Sequence, residues 1–594
     1  MPIHNSEIAQ VFDRLAGLLE IKGENPFRIR AYRNASREIA GLPKSAADML
    51  KAGEDFSRLP GIGKAIAAKM EEIIKTGKLS KLEKLQKTLP AGLDDLMRIQ
   101  GLGPHRIKAL YETLKIKSIP DLKKALEAKK IRELPGFGEK IEEAISREIE
   151  RVKRSEGRLR LDQAEEIGIP LLESLKKVKG VKKAIIAGSF RRAKETVRDI
   201  DILITCEPGS EVMSHFIPPG VKAGAGSRQS ETDGGINYED VSKVVSRGDT
   251  RSTVILRSGA QVDLRVVPEE DYGAAILYFT GSKAHNIAIR KLAVQKGLKI
   301  NEYGVFKKKD NKRLAGRTEE DVYKTVGLTY IEPELREDSG EIEASRKGEL
   351  PKLVTLKDIR GDLHTHTSLT DGHATLAQMA EAARSRGYEY IGNTEHSKHV
   401  TIAHGLTGKE LLKQLEQVDR LNKKLKGITI LKGIEVDILE NGSLDIENEV
   451  LKELDFTVCS IHYKFNLPSQ KQTERVIRAM DNPYFNIFSH PTGRLINERD
   501  PYEIDIEAIM KAAKERGCVL EESAHPYRLD LNDAHCRLAG QMGVKIAIST
   551  DAHNTADLDF MRFGVLTARR GWIEAADVIN TRNLEGLKKL LERR

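Results

Sequence analysis

Three carboxylates sit on two short apolar stretches: Asp199 and Asp201 within Val197-Arg198-Asp199-Ile200-Asp201-Ile202-Leu203-Ile204, and Asp263 within Gln261-Val262-Asp263-Leu264. In a strand, residues two apart share a face, so Asp199 and Asp201 project together while Ile200, Ile202 and Ile204 face a core. Carboxylates forced side by side repel unless a cation lies between them, and hard oxygen donors suit Mg²⁺. Three such groups can hold two divalent ions, the arrangement that activates a 3′-hydroxyl and stabilises a leaving pyrophosphate in an in-line displacement. Just upstream, the apolar run Ala184–Ala187 breaks at Gly188-Ser189, followed by Phe190-Arg191-Arg192. Gly188 lets a triphosphate approach the backbone, and the Ser189 hydroxyl and Arg192 guanidinium offer a donor and a positive charge. An ordinary exposed sheet face explains a lone Asp-x-Asp equally well; the Gly-Ser turn and the third Asp favour the chemistry.

A second constellation begins at Ile359, after which 11 of the 15 histidines occur, mostly just behind short apolar runs. In order come His364-Thr365-His366, Asp371, Glu395-His396, Glu435, His462, His490 and Asp551-Ala552-His553. His-x-His on a strand directs two imidazoles to one face, and added carboxylates give the mixed N/O ligation that Zn²⁺, Mn²⁺ or Fe²⁺ accepts. The preceding runs, such as Ile428–Leu431 and Val544–Ile548, have the composition of buried parallel strands, and helical patterns at Leu376–Arg386 and Ile506–Arg516 separate them. Strands alternating with helices, with polar residues at strand ends, predict an α/β barrel whose site lies at the C-terminal ends of its strands.

These sites need elements to hold them and, for the first, a polyanion to act on. Residues 1 to about 150 carry apolar residues at three- and four-residue spacing, as in Ile8, Val11, Phe12, Leu15, Leu18 and Leu19, and are expected to be helical. A short signature recurs there three times, as Gly61-Ile62-Gly63, Gly101-Leu102-Gly103 and Gly136-Phe137-Gly138, each followed by a helical pattern. Such a hairpin exposes backbone N–H groups at a helix N-terminus, a place that attracts phosphate. A single copy would more often be a helix C-cap; three copies with Lys64, His105 or Lys140 nearby point to nucleic acid. Residues 217–235, with Pro218-Pro219-Gly220 and Ala223-Gly224-Ala225-Gly226, have loop composition and are expected to be a flexible insertion.

Composition bounds the rest. A chain of 594 residues exceeds one core, and three or four domains are expected. Charged residues at 31% and a mean hydropathy of −0.42 describe a globular protein. No run of about 18 apolar residues and no leader-like apolar N-terminus occur, so a cytoplasmic protein without a membrane partner is expected. Cys206, Cys459, Cys518 and Cys536 form no Cys-x-x-Cys pair, which argues against a disulfide framework or zinc ribbon. The formal charge of +9 is unevenly placed: 64 Lys and Arg face 53 Asp and Glu before residue 351, and 34 face 36 from there on. A basic first part fits a polyanion bound through counterion release.

Gly188-Ser189, Asp199-x-Asp201 and Asp263 together match the nucleotidyltransferase motif, and Tyr278-Phe279-Thr280-Gly281-Ser282 resembles the sugar-gate segment of the family X DNA polymerases, of which DNA polymerase beta is the familiar relative. That resemblance implies Mg²⁺ or Mn²⁺ on Asp199, Asp201 and Asp263, with Asp263 accepting the primer hydroxyl proton, and a triphosphate on Gly188, Ser189 and Arg192. Tyr278, Phe279 and Gly281 would crowd the sugar 2′ position, and Asn286 and Arg290 would reach the minor-groove side of the new pair. Asn25 to about Leu85 is similar to the lyase domain of the same family and places Lys69 at its Schiff-base nucleophile; Ala65 and Arg28 stand where the family often carries further lysines. Lys69 as a phosphate contact is the other reading. Gly61, Gly63, Gly101, Gly103, Gly136 and Gly138 resemble the helix-hairpin-helix motif of sequence-independent DNA binding. The C-terminal set resembles the PHP (polymerase and histidinol phosphatase) domain at all nine ligand positions: His364, His366, Asp371, His396, Glu435, His462, His490, Asp551 and His553. Up to three Mn²⁺, Zn²⁺ or Fe²⁺ ions and metal-assisted phosphoester hydrolysis follow from that likeness.

The organisation expected is a lyase-like helical domain (1–85), fingers with further hairpins (86–150), a palm (151–265), a thumb (266–330), a linker (331–356) and a PHP α/β barrel (357–594). The function expected is a monomeric repair polymerase of family X that fills short gaps, taking gapped or nicked DNA and dNTPs, with a PHP 3′-5′ exonuclease. Two other readings are a DNA-end-binding scaffold with vestigial sites and a polymerase fused to a small-molecule phosphatase.

Overall fold

The structure, a computed structural model, describes residues 5–592 except 41, 43–45, 91, 98, 100, 156, 208–209 and 218–240. Of the expected insertion at 217–235, residues 218–235 lie outside the described residues. The chain divides into two compact units, one of Met1–Glu156 with Asn497–Arg499, the other of Gly157–Ile496 with Asp500–Arg594.

The first unit is helical, as its three- and four-residue periodicity predicts. Helices Asn5–Lys22, Pro26–Ala40, Lys64–Thr76, Ser80–Thr88, Pro104–Leu114, Ile119–Glu127 and Glu139–Ser155 enclose one core that includes Phe12, Leu15, Met70, Ile107 and Ile149. Each glycine hairpin sends its middle residue into that core: Ile62, Leu102 and Phe137 are buried.

In the second unit a five-stranded mixed sheet runs in the order Val181–Ile186, Asp199–Cys206, Gln261–Val266, Arg251–Leu256, Val241–Ser246. The alternation in the second strand does what its period dictates, burying Ile200, Ile202 and Ile204 against Leu171, Leu172 and Leu175 of helix Leu161–Lys176. Helices Tyr272–Thr280 and Lys283–Gln295, a three-stranded antiparallel sheet and helix Glu319–Val326 follow.

The stretch 331–356, expected to be a linker, is folded into this part. It forms the helix Glu341–Lys347 and contributes Ile331, Leu335 and Ile342 to the same core as Leu277, Ile289 and Val322. Its charges explain why composition misled: Arg336 and Glu341 are fully buried. Arg336 bonds Glu319 at 2.5 Å and lies over the rings of Tyr323 and Tyr330, while Glu341 accepts from His285 Nδ1 at 2.6 Å. A charge paired and hydrogen-bonded in this way belongs to an interior, whereas composition counts it as surface.

Beyond residue 357, parallel strands alternate with helices. Gly361–Asp362, Tyr390–Asn393 and Thr429–Lys432 form one sheet, and Glu435–Asp437, Val458–Ser460, Ile487–Phe488, Val519–Ser523 and Ile546–Ser549 form another. Thr429–Lys432 and Glu435–Asp437 follow one another across Gly433, and bridges His396↔Glu435 and Thr365↔Ala552 join the two sheets at both seams. The result is a closed parallel barrel with the ligand-type residues at the strand ends, as the sequence predicts.

Candidate active sites

In the palm sheet Asp201 stands opposite Asp263 on neighbouring parallel strands, with Asp199 two residues before Asp201 on the same face. The three expected carboxylates therefore converge. Burial, then the charges of Asp263 and Asp199, push the Asp201 carboxyl up to about 7; burial chiefly raises Asp199 as well. Three carboxylates on one sheet face, with Asp201 raised by burial and then by the other two, have the charge arrangement that suits a bound cation. Asp263 accepts from Thr253 Oγ1 at 2.5 Å and from Gln261 Nε2 at 2.6 Å, which fix its carboxylate plane.

Gly188 opens the short helix Gly188–Arg191 with φ +64°, and a Cβ there would fall 2.4 Å from Asp201 Oδ2. Only glycine fits at that point. Ser189 follows in the same turn, half-buried. Arg192 is turned toward the thumb: its Nε bonds Glu337 at 3.0 Å and its Nη1 donates to the Thr280 carbonyl. Tyr278 and Phe279 meet edge to face at 5.2 Å, and a Cβ on Gly281 would lie 3.2 Å from Arg192. Asn286 and Arg290 are on the exposed face of the next helix, with Asn286 Nδ2 donating to the Tyr278 carbonyl at 2.7 Å and Arg290 Nε to the Asn286 carbonyl at 3.1 Å. Sequence reasoning missed Arg265, whose guanidinium lies 4.4 Å above the Phe279 ring beside Asp201 and Asp263. Its place two residues beyond Asp263, on the same strand face, was the available signal.

In the helical unit, Gly61, Gly101 and Gly136 adopt positive φ, which accounts for them by conformation. Gly63 and Gly103, each capping the helix that follows, have ordinary φ of −80° and −64°, and an added Cβ would meet nothing within 4 Å; Gly138 has the same open space. Internal packing gives no reason for glycine at these three positions. Lys69 is half-buried; its Nζ donates to the Ala65 carbonyl at 2.7 Å and lies 6.0 Å from the Tyr32 ring, which Lys81 also faces.

At the barrel mouth, eight of the nine expected ligands fall into three groups: His366, Asp371, His396 and His553; His364, His366 and Asp551; His396, Glu435 and His462. The ninth, His490, joins them through Nε2, 3.1 Å from Glu435 Oε1. The separations have the scale of ligands around an ion: donors about 2.1 Å from a tetrahedral metal lie roughly 3.4 Å apart. Here His366 Nε2 to Asp551 Oδ1 is 3.2 Å, His364 Nε2 to Asp551 Oδ1 3.5 Å, His396 Nε2 to Asp371 Oδ2 3.3 Å, and His553 Nε2 to Asp371 Oδ2 3.4 Å. Buried His364 Nε2 and His366 Nε2 make no well-formed hydrogen bond, an arrangement that is costly unless something else satisfies it, while His396 Nδ1 and Glu435 Oε2 lie 2.7 Å apart. The donor set thus fits divalent metals. Burial alone would raise Glu435, yet the imidazoles of His396, His462 and His364 outweigh it and hold this carboxylate well below its usual range.

Two residues here were not foreseen. Glu521 accepts from His364 Nδ1 at 2.8 Å, Ser489 Oγ at 2.7 Å and the His490 backbone N–H at 2.8 Å, so it aims the His364 Nε2 at the site. Adjacent acids in the buried strand Val519-Leu520-Glu521-Glu522 were the signal. Arg528 lies 3.7 Å from Asp551 Oδ2 and brings a positive charge to the rim.

A nucleotidyltransferase-like palm on the same chain as a barrel whose donor set fits divalent metals defines a two-site class of phosphoryl-transfer protein. Residues 158–222 match the DNA polymerase beta palm, 275–337 the DNA polymerase beta thumb, 362–525 the PHP domain, 3–79 the helix-hairpin-helix domain and 93–151 the SAM-like helix-hairpin-helix tandem. Over 593 residues, all of both chains, the sequence is 37% identical to the DNA polymerase/3′-5′ exonuclease PolX of Bacillus subtilis (strain 168). The barrel region is 33% identical over 232 residues to a probable phosphatase of Thermoanaerobacter sp. (strain X514), covering 37% of this chain and 89% of that one. The chain belongs to the family X DNA polymerases that carry a C-terminal PHP domain.

Proposed function

We propose that the protein is a DNA-directed DNA polymerase that fills short gaps during repair and trims 3′ ends at its barrel site. The observation that carries this reading is the presence on one chain of two separate constellations, three carboxylates on one face of the palm sheet and a barrel cluster of imidazoles and carboxylates at metal-ligand spacing. The likeness to PolX along the full chain supports it. In the palm, Asp199, Asp201 and Asp263 would hold Mg²⁺ or Mn²⁺, and Asp263, oriented by Thr253 and Gln261, would accept the primer hydroxyl proton. Gly188 and Ser189 receive the triphosphate, while Tyr278 and Phe279 wall the sugar. In the barrel, the nine ligands would hold up to three Mn²⁺, Zn²⁺ or Fe²⁺ ions, Glu521 orients His364, and Arg528 neutralises substrate phosphate. Bound ions supply Lewis acidity and lower the pKa of water at either site. The glycine hairpins bind gapped or nicked duplex without reading sequence, and Lys69 contacts its phosphates or acts as a lyase nucleophile. No described helix is long and apolar enough to cross a membrane, and the protein is proposed to act in the cytoplasm as a monomer.

The barrel's 33% identity to a probable phosphatase favours a second reading for that site, hydrolysis of small phosphomonoesters. The test is gel analysis of a 5′-labelled primer on one-nucleotide-gapped DNA with Mn²⁺. Elongation with dNTPs and laddered shortening without them support both activities. Extension without shortening, together with hydrolysis of a small phosphomonoester, transfers the barrel to the second reading.

A further inference from the structure

At the mouth of the barrel, a loop leaves the strand end at the ligand His396 and returns to the same point. Ser397 N donates to the Glu435 carbonyl at 2.9 Å and Leu406 N to the His396 carbonyl at 2.8 Å, so both ends of the loop are pinned beside metal ligands. Its tip carries Ile402, which at 87% exposure is the most exposed large apolar side chain among the described residues. Single exposed apolar residues are common on protein surfaces. What distinguishes Ile402 is its company. His399, on the same loop, packs its ring 4.2 Å from that of Tyr463, and Tyr463 directly follows the ligand His462.

Tyr463 is braced rather than mobile. Its hydroxyl accepts from the Glu440 backbone N–H at 2.8 Å, and the buried Arg475 lies 4.7 Å from its ring while donating to the Tyr463 carbonyl at 3.2 Å. The His399 backbone N–H is held by Asp445 at 3.0 Å. The metal-ligand cluster therefore has an unequal rim: the cation Arg528 beside Asp551 on one part, and on another the His399–Tyr463 ring pair, on segments that directly follow the ligands His396 and His462, with Ile402 exposed on the same loop as His399. A small sugar phosphate offers such a rim nothing to bury. A nucleotide offers a phosphate and, a few ångströms away, a flat base whose π-face stacks regardless of sequence.

We infer that His399, Ile402 and Tyr463 form a stacking ledge for the 3′-terminal nucleobase of a DNA strand whose last phosphodiester lies at the barrel metal site. This rests on the reading of the barrel as a site that trims 3′ ends. The reaction is hydrolysis: water's oxygen bonds to phosphorus, the bond to the 3′-oxygen of the preceding nucleotide breaks, and that oxygen takes up a proton. The ledge holds the departing nucleoside 5′-phosphate by its base.

The test compares two substrates with one leaving group, thymidine 5′-(p-nitrophenyl phosphate) and methyl p-nitrophenyl phosphate, in the full-length wild type and in His399→Ala/Ile402→Ser. The wild type is expected to prefer the thymidine ester in kcat/KM. The double variant should lose roughly five- to hundredfold of that preference, the range for one stacked base, and show a matching rise in KM for shortening 5′-labelled DNA. Should the double variant not fold, Ile402→Ser alone, at a solvent-exposed side chain, reads the same ratio. A preference unchanged within twofold, in a variant with wild-type thermal unfolding, overturns the ledge while DNA shortening still stands. A wild type that hydrolyses the methyl ester and leaves DNA intact overturns the trimming reading, and the ledge with it.

Discussion

Arg570 of the barrel domain donates to the backbone carbonyl of Arg192 at 2.7 Å and lies 3.2 Å from Glu337, the carboxylate that Arg192 itself holds at 3.0 Å. Asp533 grips the other side of the Arg570 guanidinium at 2.6 and 2.9 Å. The segment leading out of the palm's Gly188–Arg191 turn is thereby tied to the thumb and the barrel together. Arg570→Ala removes several charge-assisted hydrogen bonds and is expected to lower stability by about 2 kcal/mol. A calorimetric scan checks this, and steady-state kinetics should show a severalfold rise in KM for dNTP that Arg570→Lys partly restores.

The two sites share no ligand, so their activities should separate. Asp263→Ala is expected to abolish primer extension and leave end trimming intact, and His364→Ala with His366→Ala to do the reverse. Circular dichroism controls for folding. Loss of both activities from either folded variant would refute the separation.

Asp201 fixes the pH behaviour of the palm. Its carboxyl is raised to about 7, first by burial and then by Asp263 and Asp199, so below that pH a proton competes with the divalent ion. Mg²⁺ affinity should climb as pH rises toward 7 and level off above it, and calorimetric titration in two buffers of different ionisation enthalpy should show proton release at pH 6. Without divalent ions the sign for stability is opposite. A folded-state pKa above the unfolded value contributes stability that is present below the ordinary aspartate range and lost as pH rises through about 7. Asp201→Asn should flatten that decline in a pH series of thermal melts.

Glu521 acts through His364. Glu521→Gln keeps the shape but weakens the acceptor that orients the imidazole, and a loss of ten- to hundredfold in metal affinity at the barrel is expected. Elemental analysis after dialysis, read beside DNA shortening, distinguishes this from general misfolding; retention of all bound metal would remove Glu521 from its positioning role.

The sequence by itself determined whatever depends on neighbours in the chain. Asp199 and Asp201 share a face because strand side chains alternate, and the hairpin glycines appear as a repeat because each hairpin is a local motif. Most of the barrel's imidazoles were legible as candidates because they stand just behind apolar runs with the composition of buried strands, and the resemblance to the PHP domain completed the set of nine. Register and long-range pairing were decided by the tertiary structure. Asp201 faces Asp263 only because strands 62 residues apart in the chain align in parallel, and Arg192 pairs with Glu337, which belongs to a stretch that composition presents as a linker. Glu521 and Arg528 read as ordinary charges until folding sets them against His364 and Asp551. Local periodicity fixes which face a side chain takes, but what it meets there depends on packing between distant segments, and one chain alone does not write that down.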